Sequence, residues 1–304
     1  MTPHEHAQIS YGQQWKAILS KKHNVLKPYI TYKGDCSGRY ATIEQYGELD
    51  LEEKTARHEN KPGVEMETFR RFIFPKSFNQ KVKFDEDDEW KLNRVGVPMP
   101  QSAQRLMQAG ERKMEEIIFA GMLDTATIGA GPEEAMTTAE LTETVAVDFG
   151  GSNIGLTSAK ILEGLRIFMD RDAWGQDSVL DEPDQLCLAA SPKSLLNLWK
   201  ETVVTSSDFR QFAGGKPFDT GILENFLGVK IMVTTALSAR KTGNIQTIPM
   251  WLKSKVTYGD WKKAETRVWQ DNDTGGDRIR FKFTGGSTRE EENGVVPIYA
   301  DESV

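Results

Sequence analysis

A chain of 304 residues that is 38% hydrophobic and 27% charged has the composition of a soluble globular protein with room for one large domain or two modest ones. No run approaches the ~20 apolar residues of a membrane span, and Met1-Thr2-Pro3-His4-Glu5 has neither the basic nor the apolar part of a secretion signal, so the chain is expected to stay in the cytoplasm. The net charge of −7 argues against a protein whose business is gripping nucleic-acid phosphate, because such binding needs a basic face, and leaves room for local basic patches only.

The first thirty residues carry one short amphipathic helix, predicted around Gln13 to Lys21 with Tyr11, Trp15, Ile18 and Leu19 at helical spacing and a stop at Pro28. It reads as an arm that docks on something. From Tyr29 to Val97 the pattern is mostly extended and fits a two-stranded flap better than a core. This stretch holds Arg57-His58, the aromatic strand Phe69-Arg70-Arg71-Phe72-Ile73-Phe74, and the acidic run Asp85-Glu86-Asp87-Asp88-Glu89. Side chains alternate along a strand, so Arg70 and Arg71 go to opposite faces and at most one turns toward its own domain. A compact enzyme rarely needs such an arm, whereas a protein that reaches over its neighbours does.

Pro98 and Pro100 mark a boundary, and Ser102 is the expected N-cap of a long helix. Ala103, Leu106, Met107, Gly110, Met114, Ile117, Ile118 and Gly121 form a stripe sustained for about five turns, a helix of ~30 Å. Arg105, Glu111, Arg112, Lys113, Glu115 and Glu116 fall mainly on other faces, where they serve solvation or subunit contact, and Arg112 stands four residues before Glu116 as an ion pair.

Past Gly129-Ala130-Gly131-Pro132 helices and strands alternate. Thr157 or Ser158 caps a helix with Ile161, Leu162, Leu165, Phe168 and Met169 on one side; Leu186 to Ala190 is a buried strand; Ser191-Pro192 opens another helix. Ile222 to Leu227 ends at Gly228, read as a C′ glycine, and Val229 to Thr235 is a strand. The remainder, from Ile248, is β-rich, with Arg278 to Phe283 alternating and a closing Val295-Val296-Pro297-Ile298-Tyr299 strand.

Signals for chemistry are sparse. Phe149-Gly150-Gly151-Ser152-Asn153-Ile154-Gly155 precedes a helix and offers a phosphate cradle, but it lacks the Lys-Ser/Thr of a P-loop and reads mainly as a loop. The acidic run offers hard-metal oxygens and reads mainly as a solvated face. Histidines occur only at positions 4, 6, 23 and 58, so no Ser-His-Asp or Cys-His constellation can be built around a core domain. Cys36 and Cys187 sit in unlike contexts and read as free thiols.

Taken in order, Arg57-His58, Arg70-Arg71, the acidic segment, the helix from Ser102 through Gly110-Glu111-Arg112 to Ala120-Gly121-Met122-Leu123-Asp124-Thr125-Ala126, Leu188-Ala189-Ala190-Ser191-Pro192, Phe226-Leu227-Gly228-Val229-Lys230-Ile231 and the closing strand resemble the major capsid proteins of tailed bacteriophages over about residues 40 to 300. The resemblance implies an α+β, Hong Kong 97-like fold: an N-terminal arm at 1–39, an extended loop at 40–97, a peripheral domain with its spine helix at 98–130, an axial domain at 131–247, and a β-rich return to the peripheral domain at 248–304. It implies a structural protein, not an enzyme and without cofactor, that builds an icosahedral head from hexamers and pentamers. It would be assembled in the host cytoplasm around double-stranded DNA bound without sequence specificity, with scaffolding, portal or decoration proteins as further partners and no membrane. Interfacial contacts are expected at Arg57, Arg70 and Arg71 against the acidic run Asp85 to Glu89, with Asp85, Asp87 and Asp88 the candidates in it, of a neighbouring copy or of the same chain, and in the 129–155 and 209–217 loops near the capsomer axis. The alternatives are an enzyme binding a phosphate-bearing ligand at Gly150 to Gly155 and a non-viral nanocompartment shell of the same fold.

Overall fold

The structure, a computed structural model, describes residues 23–47, 49–51, 53, 63–84, 99–129, 136–151, 154–174, 184–201, 223–270 and 276–303. In chain order these form β1 (Thr31–Lys33), β2 (Ala41–Tyr46), β3 (Thr68–Ile73), β4 (Lys76–Lys83), α1 (Met99–Leu123), β5 (Ala126–Gly129), β6 (Thr137–Ala139), α2 (Ser158–Asp170), β7 (Leu186–Ala190), α3 (Pro192–Trp199), β8 (Asn225–Phe226), β9 (Val229–Val233), β10 (Lys241–Thr242), β11 (Ile245–Leu252), β12 (Val256–Gln270), β13 (Asp277–Arg289) and β14 (Val295–Asp301). The arm helix expected at Gln13 to Lys21 lies outside the described residues.

The long helix starts three residues before Ser102, because a proline in the first turn gives up an N–H that has no helical partner there. Its 25 residues make it ~37 Å long. One charged residue assigned to an outer face is not there: Glu115 is fully buried, and its Oε1 accepts a hydrogen bond from Thr234 Oγ1 at 2.9 Å. Met107, placed in the apolar stripe, is 47% exposed. On the outer face it is Lys113 that pairs with Glu116.

Two cores share one wall. The six-stranded sheet runs β10-β11-β7-β9-β8, with β14 on the other side of β11. β7 is buried at all five positions, as a strand covered on both faces must be. Its Leu186, Leu188 and Ala190 join the core under α2 and α3, while Cys187 and Ala189 join the core under α1. β11 alternates in the same way, with Ile248, Met250 and Leu252 on the first side and Trp251 on the second. Against the far side of α1 lies the ribbon β12–β13, extended by β1 and β4 into a four-stranded sheet. Ile279, Phe281 and Phe283 of β13 point into the α1 core at period two. Helix and ribbon come close where α1 has glycine: a Cβ on Gly121 would lie 2.6 Å from the Ser287 backbone, and one on Gly110 2.4 Å from the Phe281 ring. A third sheet, β2-β3-β5-β6, carries the flap strands.

The segment read as ending in a helical C′ glycine is instead a β-hairpin. Asn225 and Phe226 pair with Lys230 and Val229, and the two turn residues, Leu227 (φ 52°) and Gly228 (φ 79°), have the left-handed conformations of a type I′ turn. A left-handed glycine is the shared signature of both motifs, so the residue type alone pointed to the wrong one.

Candidate interaction surface

The flap leaves the body as the antiparallel pair β2–β3, in which Glu44 stands opposite Arg70 and Ile43 opposite Arg71. Alternation separates the two arginines as expected. Arg70 turns outward and pairs across the strands with Glu44 at 3.3 Å. Arg71, 7% exposed, turns inward and donates both terminal nitrogens to Glu292, Nη1 at 2.7 Å. The same Glu292 lies 3.5 Å from Nε of Arg289, which is fully buried. Burial favours the neutral acid, but the hydrogen bonds and charge of Arg71 prevail and hold the Glu292 carboxyl below its usual range.

Arg289 reaches the C-terminus of α1, donating from Nη1 to the carbonyls of Met122 and Asp124 and from Nη2 to Ala139 O in β6 at 2.6 Å. A buried cation thus meets the carbonyls a helix end leaves open. Around it, Gln45 Nε2 donates to Glu290 O at 2.9 Å and Lys255 pairs with Glu291 at 2.8 Å. The segment 289–292 therefore ties flap, spine helix and ribbon into one junction. Beyond this fastened root, Tyr46, Leu51 and Val64 are 71%, 101% and 80% exposed, and Leu49, Met66 and Phe69 are exposed as well.

Of the residues expected to form contacts between copies, Arg57, Asp85, Asp87 and Asp88 lie outside the described residues, as does the 209–217 loop. Arg70 lies on the open face of the flap, whereas the Arg71 guanidinium is engaged within its own chain. Glu292 and Arg289 were missed by sequence reasoning. The triplet Glu290-Glu291-Glu292 before Gly294 was the available signal, and it looks like any solvated acidic turn until the fold brings Arg71 across 221 residues to meet it.

The glycine loop before α2 is a built structural joint. Thr157 caps the helix, its Oγ1 accepting from Lys160 N at 3.3 Å, and Ser158 N donates to the Glu201 carboxylate at 2.9 Å, so an anionic group of the chain itself already sits where a phosphate would. Lys160 is fully buried and donates from Nζ to Val147 O, Ile154 O and Tyr299 O at 2.8, 2.8 and 2.9 Å, fastening both ends of the loop to β14. Burial pushes its pKa down to about 8, with Asp148 and Asp301 pulling it back up. Phosphate binding at this loop is not favoured.

The model of a family described as phage capsid protein matches residues 4–302. No curated protein matches the sequence. Among solved structures, the chain is similar to the capsid structure of cyanophage P-SCSP1u, with 15% identity over 96% of this chain and 93% of that one at a TM-score of 0.69. The acidic stable capsid structure of Helicobacter pylori bacteriophage KHP30 gives 11% identity, 97% and 95% coverage and a TM-score of 0.72. The cyanophage Pam1 capsid asymmetric unit gives 11%, 96% and 97%, and 0.71. At such identities the likeness establishes the fold, which is the Hong Kong 97-like capsid fold expected from the sequence.

Proposed function

This chain belongs to the phage capsid protein family and is a major capsid protein forming the head shell; from that premise we propose that its copies close into hexamers and pentamers through the flap. The observation that carries the proposal is the contrast along β2–β3: a root locked by Arg71, Glu292 and Arg289, and an outer part that exposes Tyr46, Leu49, Leu51, Val64, Met66 and Phe69. Exposed apolar surface on a firmly oriented arm marks a protein contact, and a heterologous contact that closes generates rings. Arg70 and Glu44, on the same face of the pair as Tyr46, and the acidic run at 85–89 supply charge that sets register between copies rather than affinity. The division into arm, extended loop, peripheral domain, axial domain and β-rich return is part of this reading. So are a non-enzymatic role, assembly in the host cytoplasm and encounters with scaffolding, portal or decoration proteins.

The test is assembly of the purified full chain, followed by sedimentation and negative-stain imaging. Closed particles are expected from the wild type, and soluble, cooperatively melting capsomers or monomers from a chain lacking residues 49–66. Small oligomers only from the wild type, or normal particles from the deletion, would overturn the role given to the flap.

A further inference from the structure

The ribbon sheet has a second face that the α1 core does not use. In the register of β4, β13 and β12, Lys83 stands beside Arg278, Lys81 beside Arg280 and Arg280 beside Arg267, while Lys282 lies between Asn79 and Glu265. Directly paired residues share a face, and Ile279, Phe281 and Phe283 between them are buried against α1, so these six cations all point away from the core. The only carboxylate at these register positions is Glu265, which pairs with Lys262 and Arg267. Among the described residues no carboxylate pairs with Lys81, Lys83, Arg280 or Lys282. The three β4 and β12 members of the set are exposed and the β13 members half-buried.

Like charges directly opposite on neighbouring strands oppose pairing, and Lys81, Arg280 and Arg267 place three in one row at strand spacings of about 4.8 Å. A chain of net charge −7 has no general need of this concentration of cations. We infer that the outward face of the β4–β13–β12 sheet binds the phosphate backbone of duplex nucleic acid, without reading its sequence. Rows of cations in both directions of the sheet suit a polyanion whose charge is spread over a surface, whereas an acidic peptide offers its charge along one line. Duplex DNA carries about one charge per 1.7 Å of axis, so it engages several rows at once. Phosphate contacts of this kind position without specifying. The identification of the polyanion as the packaged genome rests on the reading of the chain as a shell.

The experiment measures binding of a mixed-sequence DNA duplex of about 30 bp by fluorescence anisotropy, using the full chain before assembly, from about 50 to about 200 mM salt. The triple variant Lys81→Gln, Arg280→Gln, Arg267→Gln is compared with a control carrying Lys113→Gln, Arg166→Gln and Lys200→Gln, exposed cations on other surfaces. The expected result is a salt slope shallower by about 3 and an affinity lower by about a hundredfold for the ribbon variant, against little change for the control. Its Tm should not fall, because the substitutions relieve repulsion in the sheet. No binding by the wild type at low salt, or equal losses in both triple variants, would overturn the inference. Loss of particle assembly with DNA affinity intact would do so too, by assigning the face to an acidic surface of another copy. Failure of the wild type to form particles would bear on the shell reading alone, since binding is read on unassembled protein.

Discussion

Lys160 brings a side chain that is usually solvated to a point of zero exposure and commits every N–H of it to a carbonyl. The accepting carbonyls are half-buried and each such bond is worth about 1 kcal/mol net, so Lys160→Met is expected to lower stability by on the order of 1–3 kcal/mol, a noticeable share of the ~5–15 kcal/mol typical of a folded protein. Urea unfolding measures it. The pH dependence has a definite sign. The folded-state pKa of about 8 lies below the ordinary 10.5, so between those values the unfolded chain binds more protons and stability rises with pH, by on the order of 3 kcal/mol. Cys187, Tyr32 and Tyr258, whose pKa values burial raises, act in the opposite sense over the alkaline range in both proteins, so the rise is read as the difference between wild type and Lys160→Met. A wild-type profile parallel to the variant's would show that Lys160 titrates normally and that its burial is misassigned.

At the scale of elements, the joint between α1 and β13 depends on two glycines whose surroundings differ. Replacing a mid-helix glycine by alanine is worth ~1 kcal/mol in helix propensity. At Gly110 the obstacle is the edge of the Phe281 ring, a side chain that can shift, whereas at Gly121 it includes the Ser287 backbone, anchored in the β12–β13 ladder. Overpacking against fixed backbone costs ~1–3 kcal/mol and outweighs the propensity gain. Gly121→Ala is therefore expected to lower Tm by several degrees and Gly110→Ala by clearly less, as read by calorimetry. Equal effects would mean that the helix does not approach the ribbon at its C-terminal end as described. The long helix itself was legible in its apolar period, but the burial of Glu115 was not, because its partner Thr234 is 119 residues away.

For the whole molecule the decisive arrangement is the junction where flap, spine and ribbon meet at Arg71, Glu292 and Arg289. Removing Arg71 takes two charge-assisted hydrogen bonds from the half-buried Glu292, each worth ~1.5–3 kcal/mol, and leaves that carboxylate with Arg289 alone. Arg71→Met is expected to melt at lower temperature, still cooperatively, and to give a sharply lower particle yield in sedimentation because the flap loses its fixed angle. Glu292, with its pKa held low, contributes stability that stands above the ordinary carboxylate pKa and is lost as pH falls through its folded-state value. Acid unfolding should accordingly separate wild type from Arg71→Met at neutral pH and bring them together in acid. A normal particle yield from Arg71→Met would show that the latch serves only the fold.

The sequence by itself determined the elements whose information is local. The apolar stripe made α1, the Ser191-Pro192 start made α3, alternation made β13, and period-two geometry sent Arg70 and Arg71 to opposite faces. The order of its motifs pointed to the capsid fold that the family match and the solved structures support. Tertiary structure alone decided which arginine turns inward, that the glycine loop is sealed by Lys160 and Glu201, and that Leu227-Gly228 is a hairpin turn. It alone also assembled the basic face, since Lys81, Arg280 and Arg267 are unremarkable at their separate places in the chain. The reason is range: periodicity and caps act over a few residues, whereas ion pairs, sheet register and the meeting of like charges depend on partners scores or hundreds of residues away, brought together only when the two cores close on their shared sheet.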